Sequence, residues 1–118
     1  VDPAFRRLLV QDTGRDTGHI LENIVYLELL RRGGKVYVGQ LPKGEIDFVV
    51  ERSGKREYYQ VAEITLQPEV LERELKPLKA IRDQYPKYLL TLDEITPEAN
   101  YDGIQKQNVL QWLLKTNG

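Results

Sequence analysis

Four side chains could do chemistry in this sequence: Glu22, Asp47, Gln60 and Glu63. Asp47 opens the run Asp-Phe-Val-Val, and Glu63 stands inside Val-Ala-Glu-Ile. A carboxylate flanked by residues that favour burial is costly unless it is paired, hydrogen-bonded or bound to a cation. Acids brought together without a basic partner repel, and a divalent cation among them relieves the repulsion.

Each residue also has a plainer reading. Glu22 can bond a nearby strand backbone or an arginine. Asp47 can end a strand in solvent or pair with a lysine. Glu63 can lie on a solvated face or in a salt bridge, and Gln60 can be a satisfied structural amide. His19 has no second histidine or cysteine near it and reads as an exposed first-turn residue. Arg31-Arg32 and the charges of residues 72–76 read as solvated faces.

These side chains need elements to position them. Gly44 to Leu66 reads as two strands joined by a hairpin at Ser53-Gly54-Lys55-Arg56, both rich in β-branched and aromatic residues. Residues 18–33 read as a helix capped by Asp16 or Thr17 and ended by Gly33-Gly34. At about 100° per residue its apolar side chains cover nearly the whole wheel. Glu22 lands between Leu29 and Tyr26 on a surface that otherwise favours burial, whereas Glu28 clusters with Arg31 and Arg32 and is expected to face water. Lys35–Gln40 reads as a strand.

A second helix is expected from Pro68, with Leu71, Leu75 and Leu78 as its core stripe, a kink at Pro77, and an end at Tyr85-Pro86. Lys87–Leu92 is apolar enough for a central strand. Residues 93–100 read as loop, Ile104–Asn108 as a short strand, and Val109–Leu114 as a short helix whose Trp112 belongs to the core or to an exposed docking patch. Residues 1–17 read as an N-terminal arm or short helix, and 18–118 as one α/β domain with a mixed sheet and helices on both faces.

Composition sets the bounds. The chain has 118 residues, 41% of them hydrophobic, which suits one compact domain. A formal charge of −1 gives no bulk basic character to argue for nucleic acid or an anionic membrane, although local patches remain open. The absence of cysteine removes disulfides, thiolate metal sites and cysteine nucleophiles, and is compatible with the cytoplasm, the expected location. No apolar run approaches the roughly 20 residues of a membrane span. The chain opens on Val1-Asp2-Pro3 and contains no methionine, so a piece of a longer protein is expected.

The order of elements, with an acid on the first helix and another on the second strand, resembles the restriction-endonuclease-like fold. That resemblance implies a metal-binding Asp at Asp47, a helix acid at Glu22, and an acid-x-Lys pair on the third strand. The third strand departs from the pattern: Gln60 stands where the acid belongs and Ala62 where the lysine belongs. Glu63 is one residue out of register, and only a bulge would bring it round.

Several strings carry a closer resemblance: residues 18–33, Glu-Ile-Asp-Phe-Val at 45–49, Tyr-Tyr-Gln-Val-Ala at 58–62, Arg-Glu-Leu-Lys-Pro-Leu at 73–78, Tyr-Pro-Lys at 85–87 and the ending over 103–114. Together they resemble the C-terminal domain of a prokaryotic AAA-type ATPase family. The resemblance implies an ATP site in a separate N-terminal domain, which is then a partner of this one. This chain carries no phosphate-binding loop of its own. The expected role is a non-catalytic accessory or recognition domain, with nucleic acid a candidate partner and no cofactor in this chain. The alternative is a divergent Mg²⁺-dependent nuclease acting through Glu22, Asp47 and either Gln60 or Glu63.

Overall fold

The computed structural model describes residues 17–41, 44–94 and 99–115. The expected N-terminal arm lies outside them, except for Thr17. The described elements follow in the order α1 (Thr17–Arg31), β1 (Lys35–Leu41), β2 (Gly44–Arg52), β3 (Lys55–Ala62), α2 (Pro68–Lys79), β4 (Lys87–Thr91), β5 (Ala99–Tyr101), β6 (Ile104–Asn108) and α3 (Val109–Leu114). The strands form one mixed sheet in the order β1-β2-β3-β4-β6-β5. β1, β2 and β3 make an antiparallel meander, and α2 then crosses over to β4, which runs parallel to β3. β6 continues the parallel set beyond β4, and β5 closes the far edge antiparallel to β6. Strand β4 is interior, as its apolar sequence requires.

Each face of the sheet has its own core. On one face Leu21, Val25 and Leu29 of α1 pack with Phe48, Val50, Tyr59, Val61 and Leu90, and α3 adds Val109 and Trp112. On the other, Leu75 and Leu78 of α2 cover Ile46, Tyr58, Leu89 and Ile104. Trp112 belongs to the core: its ring lies 5.7 Å from that of Tyr59, and the Arg32 guanidinium stacks on it at 4.3 Å. No helix among the described residues is long and apolar enough to cross a membrane.

Several sequence expectations need correction. Helix α2 ends at Lys79 instead of Tyr85-Pro86, with Ala80 as its C-cap donating its N–H to the carbonyls of Lys76 and Pro77. The hairpin loop is shorter than expected, because both Ser53 and Gly54 adopt positive φ and β3 resumes at Lys55. The stretch expected as loop up to residue 100 contains the start of β5, too short and polar to carry a periodic signal. Glu28 does not simply face water. Its side chain is only 11% exposed, clasped by Arg31 and by Arg32, which also donates to the Trp112 carbonyl at 2.8 Å. The Arg31 hydrogen bond leads in holding the Glu28 carboxyl below its ordinary range, against the opposing effect of burial.

Candidate functional site: an acidic gap between two strands

Asp47 owes its position to an irregularity in β2. Tyr37 pairs with Val49 and Gly39 with Ile46, so the single residue Val38 on β1 faces both Asp47 and Phe48 on β2. An extra residue of this kind bends the strand and re-aims side chains. The bulge also explains why Ile46 and Phe48, two apart in sequence, pack into cores on opposite faces.

The β2–β3 ladder runs from Arg52↔Lys55 to Phe48↔Tyr59 and stops there. Past that point side chains replace the backbone ladder. The Asp47 N–H donates to Gln60 Oε1 at 2.8 Å, and Gln60 Nε2 donates to the Glu45 carbonyl at 3.4 Å. In return the Val61 N–H donates to Asp47 Oδ2 at 2.9 Å. Gln60 is buried, at 5% exposure. Its amide closes the gap between the strands, as the plainer reading expected.

The gap gathers acids from three elements. Burial is the main cause that raises the Asp47 carboxyl to about 6; the Val61 N–H works against it, and the Glu22 and Glu45 charges add to it. Glu22 of α1 is also raised by burial, partly offset by His19, with Glu74 contributing further. Glu74 of α2 is raised by burial and then by Asp47, with Arg73 opposing. Glu22, Asp47 and Glu74 therefore feel one another across the open end of the β2–β3 pair, although their helices cover opposite faces of the sheet. Glu22 and Asp47 were expected together. Glu74 was placed with the solvated charges of residues 72–76, and that reading is corrected. Its signal was present: Glu74 lies three residues after Leu71 and four before Leu78, so it borders the core stripe of α2.

Glu63 does not join this group through a bulge in β3. It lies just past the strand, half-buried, with its carbonyl accepting the Leu92 N–H at 2.8 Å. Its carboxylate reaches toward the start of α1, where Oε1 stands 3.4 Å from the place a Cβ on Gly18 would occupy. His19 is exposed, as expected.

A second buried polar centre escaped the sequence reading. Asp93, 4% exposed, accepts from the Thr65 N–H at 3.0 Å and the Thr65 hydroxyl at 2.5 Å, and pairs with Lys106 at 2.7 Å. Burial opposes its charge, but Lys106 and Thr65 outweigh burial and hold the carboxyl below its ordinary range. The Asn108 side chain donates to the Asp93 carbonyl while its oxygen caps α3. This centre ties the ends of β3, β4 and β6 together. An acid directly after an apolar strand was the only hint of it.

Two of the oxygens in the gap serve the sheet itself. Gln60 Oε1 and Asp47 Oδ2 are both engaged by backbone N–H groups of the facing strand. Among the described residues no group of three or more His, Asp or Glu side chains is placed to hold a metal ion.

A protein of Haemophilus influenzae described as uncharacterized is 40% identical over 116 residues, which cover 98% of this chain and 28% of that protein. The chain thus spans little more than a quarter of the relative's length. No family model matches the chain, and no solved structure matches it.

Proposed function

We propose that this chain is a non-catalytic accessory or recognition domain of restriction-endonuclease-like descent, belonging to an AAA-type ATP-binding protein of the cytoplasm. The nucleotide site lies in a separate N-terminal domain, which is one partner of this one. The antiparallel meander, the crossover helix and the parallel fourth strand support the ancestry, as do Glu22 on the first helix and Asp47 on the second strand.

One observation carries the loss of catalysis. The Gln60 amide, at the position of the expected acid, is held on both sides by the β2 backbone, and two residues on stands Ala62, with no group to orient water or offset developing charge. The charge coupling of Glu22 and Asp47 favours the competing reading, a divergent nuclease. Incubation of the protein with labelled DNA and RNA in Mg²⁺ or Mn²⁺ decides between them. Intact substrate is the expected result. Metal-dependent cleavage that Asp47→Ala abolishes would overturn the proposal.

A further inference from the structure

At the end of the sheet away from the acidic gap, the β2–β3 hairpin and the start of β1 enclose an open cleft of about 380 Å³ whose lining includes Lys35, Arg52, Lys55, Arg56, Tyr85 and one carboxylate, Glu51. The local carboxylates are already held by arginines: Glu28 by Arg31 and Arg32, Glu51 by Arg56, and Glu57 by Arg52. Lys35 and Lys55 are exposed and have no ion-pair partner among the described residues. The tight turn at Ser53-Gly54 sets Lys55 directly opposite Arg52 in the ladder. Like charges facing each other across a strand pair are unfavourable; Lys35 stands opposite Glu51 in the β1–β2 ladder, but that carboxylate is taken by Arg56, so the two lysines leave this end of the sheet with positive charge in excess.

The cleft also has an aromatic wall. Tyr85 is 40% exposed. Its loop is fixed from below by Lys87, 8% exposed, whose ammonium donates to the carbonyls of Tyr85 at 2.9 Å and Asp83 at 3.0 Å and to Asp83 Oδ1 at 3.0 Å. The same Oδ1 accepts the Tyr85 N–H at 3.0 Å. The ring is thus presented on a braced loop.

We propose that this cleft binds single-stranded nucleic acid, with backbone phosphates on Lys35 and Lys55 and an unpaired base against Tyr85. Its volume lies at the low end of the roughly 300–1,000 Å³ of small-ligand sites, which suits one nucleotide. An aromatic face beside unpaired cations suits an unstacked base and its phosphates; a duplex keeps its base faces inside. The inference rests on the recognition reading and names its ligand, whereas the cleavage reading concerns the opposite end of the β2–β3 pair.

Fluorescence anisotropy with short labelled strands of DNA and RNA at low salt tests it. Binding is expected to weaken with salt, with a logarithmic slope of about −1.4, as for roughly two contacted phosphates on a single strand. The double variant K35E/K55E is expected to lose about tenfold or more in affinity, and Tyr85→Ala about fivefold, with Tyr85→Phe retaining binding. Melting curves establish that the variants are folded, and K35Q/K55Q replaces the reversal if it is not. Absence of binding, binding unchanged in the lysine variants, or equal affinity for duplex DNA or polyglutamate would overturn the proposal. Binding without cleavage supports both proposals, whereas cleavage together with lysine-dependent binding leaves only the second standing.

Discussion

At the scale of single residues, Asp47 is the most consequential side chain. In the unfolded chain its carboxyl titrates near the ordinary aspartate value, and in the fold at about 6. Between those values the unfolded state loses its proton first, so stability conferred by the protonated form is lost as pH rises from about 4 to about 6 and changes little above that. The gap corresponds to about 3 kcal/mol at most, and partial solvent contact reduces it to about 1–2 kcal/mol. Asp47→Asn is therefore expected to stabilise the protein by about 1 kcal/mol at pH 8 and to flatten its stability between pH 4 and 7, as read by urea unfolding. Asp93 behaves in the opposite sense. Asp93→Ala leaves Lys106 and the Thr65 N–H without their partner and is expected to cost about 3 kcal/mol. Gln60→Leu strips the Asp47 N–H of its acceptor in the gap and is expected to cost about 2 kcal/mol in thermal unfolding.

At the scale of elements, strands were read more accurately than their ends. The hairpin, the interior β4 and the apolar α1 announced themselves through β-branched runs and an unpatterned apolar helix. The bulge in β2 was not legible: it is a register relation between β1 and β2, and no local composition marks it. The acid that counted at α2 was hidden for a related reason, since a Glu beside a leucine stripe looks solvated until the strand gap opposite it is known. Glycine positions make the packing testable. A Cβ on Gly34 would meet Val50 Cγ1 at 2.4 Å, just where the chain turns from α1 into β1. Gly34→Ala is expected to cost about 1–3 kcal/mol, seen as a lowered melting temperature.

At the scale of the whole molecule, charge is segregated along the β2–β3 pair. One end gathers Glu22, Asp47 and Glu74 in a partly dry gap, and the other presents lysines around a turn. The sequence total of −1 conceals this polarity, because it averages the two ends. Stability should follow the same division. Carboxyls held low, at Asp93 and Glu28, withdraw their contribution as pH falls below about 4, whereas the raised group at Asp47 withdraws its own as pH climbs toward about 6. The maximum of unfolding free energy is expected at about pH 4 to 5, with a decline as pH rises further to about 6, measured by urea titration across pH.

The central claim is that the gap between β2 and β3 is a structural remnant whose amide and carboxylate serve the neighbouring strand. Carbon NMR of the Asp47 carboxyl, titrated with and without millimolar Mg²⁺, tests it most directly. The account predicts a midpoint near the value of about 6 that burial imposes, unchanged by the metal. A midpoint that falls by about one pH unit or more in Mg²⁺ would show a cation seated on that carboxylate and contradict it.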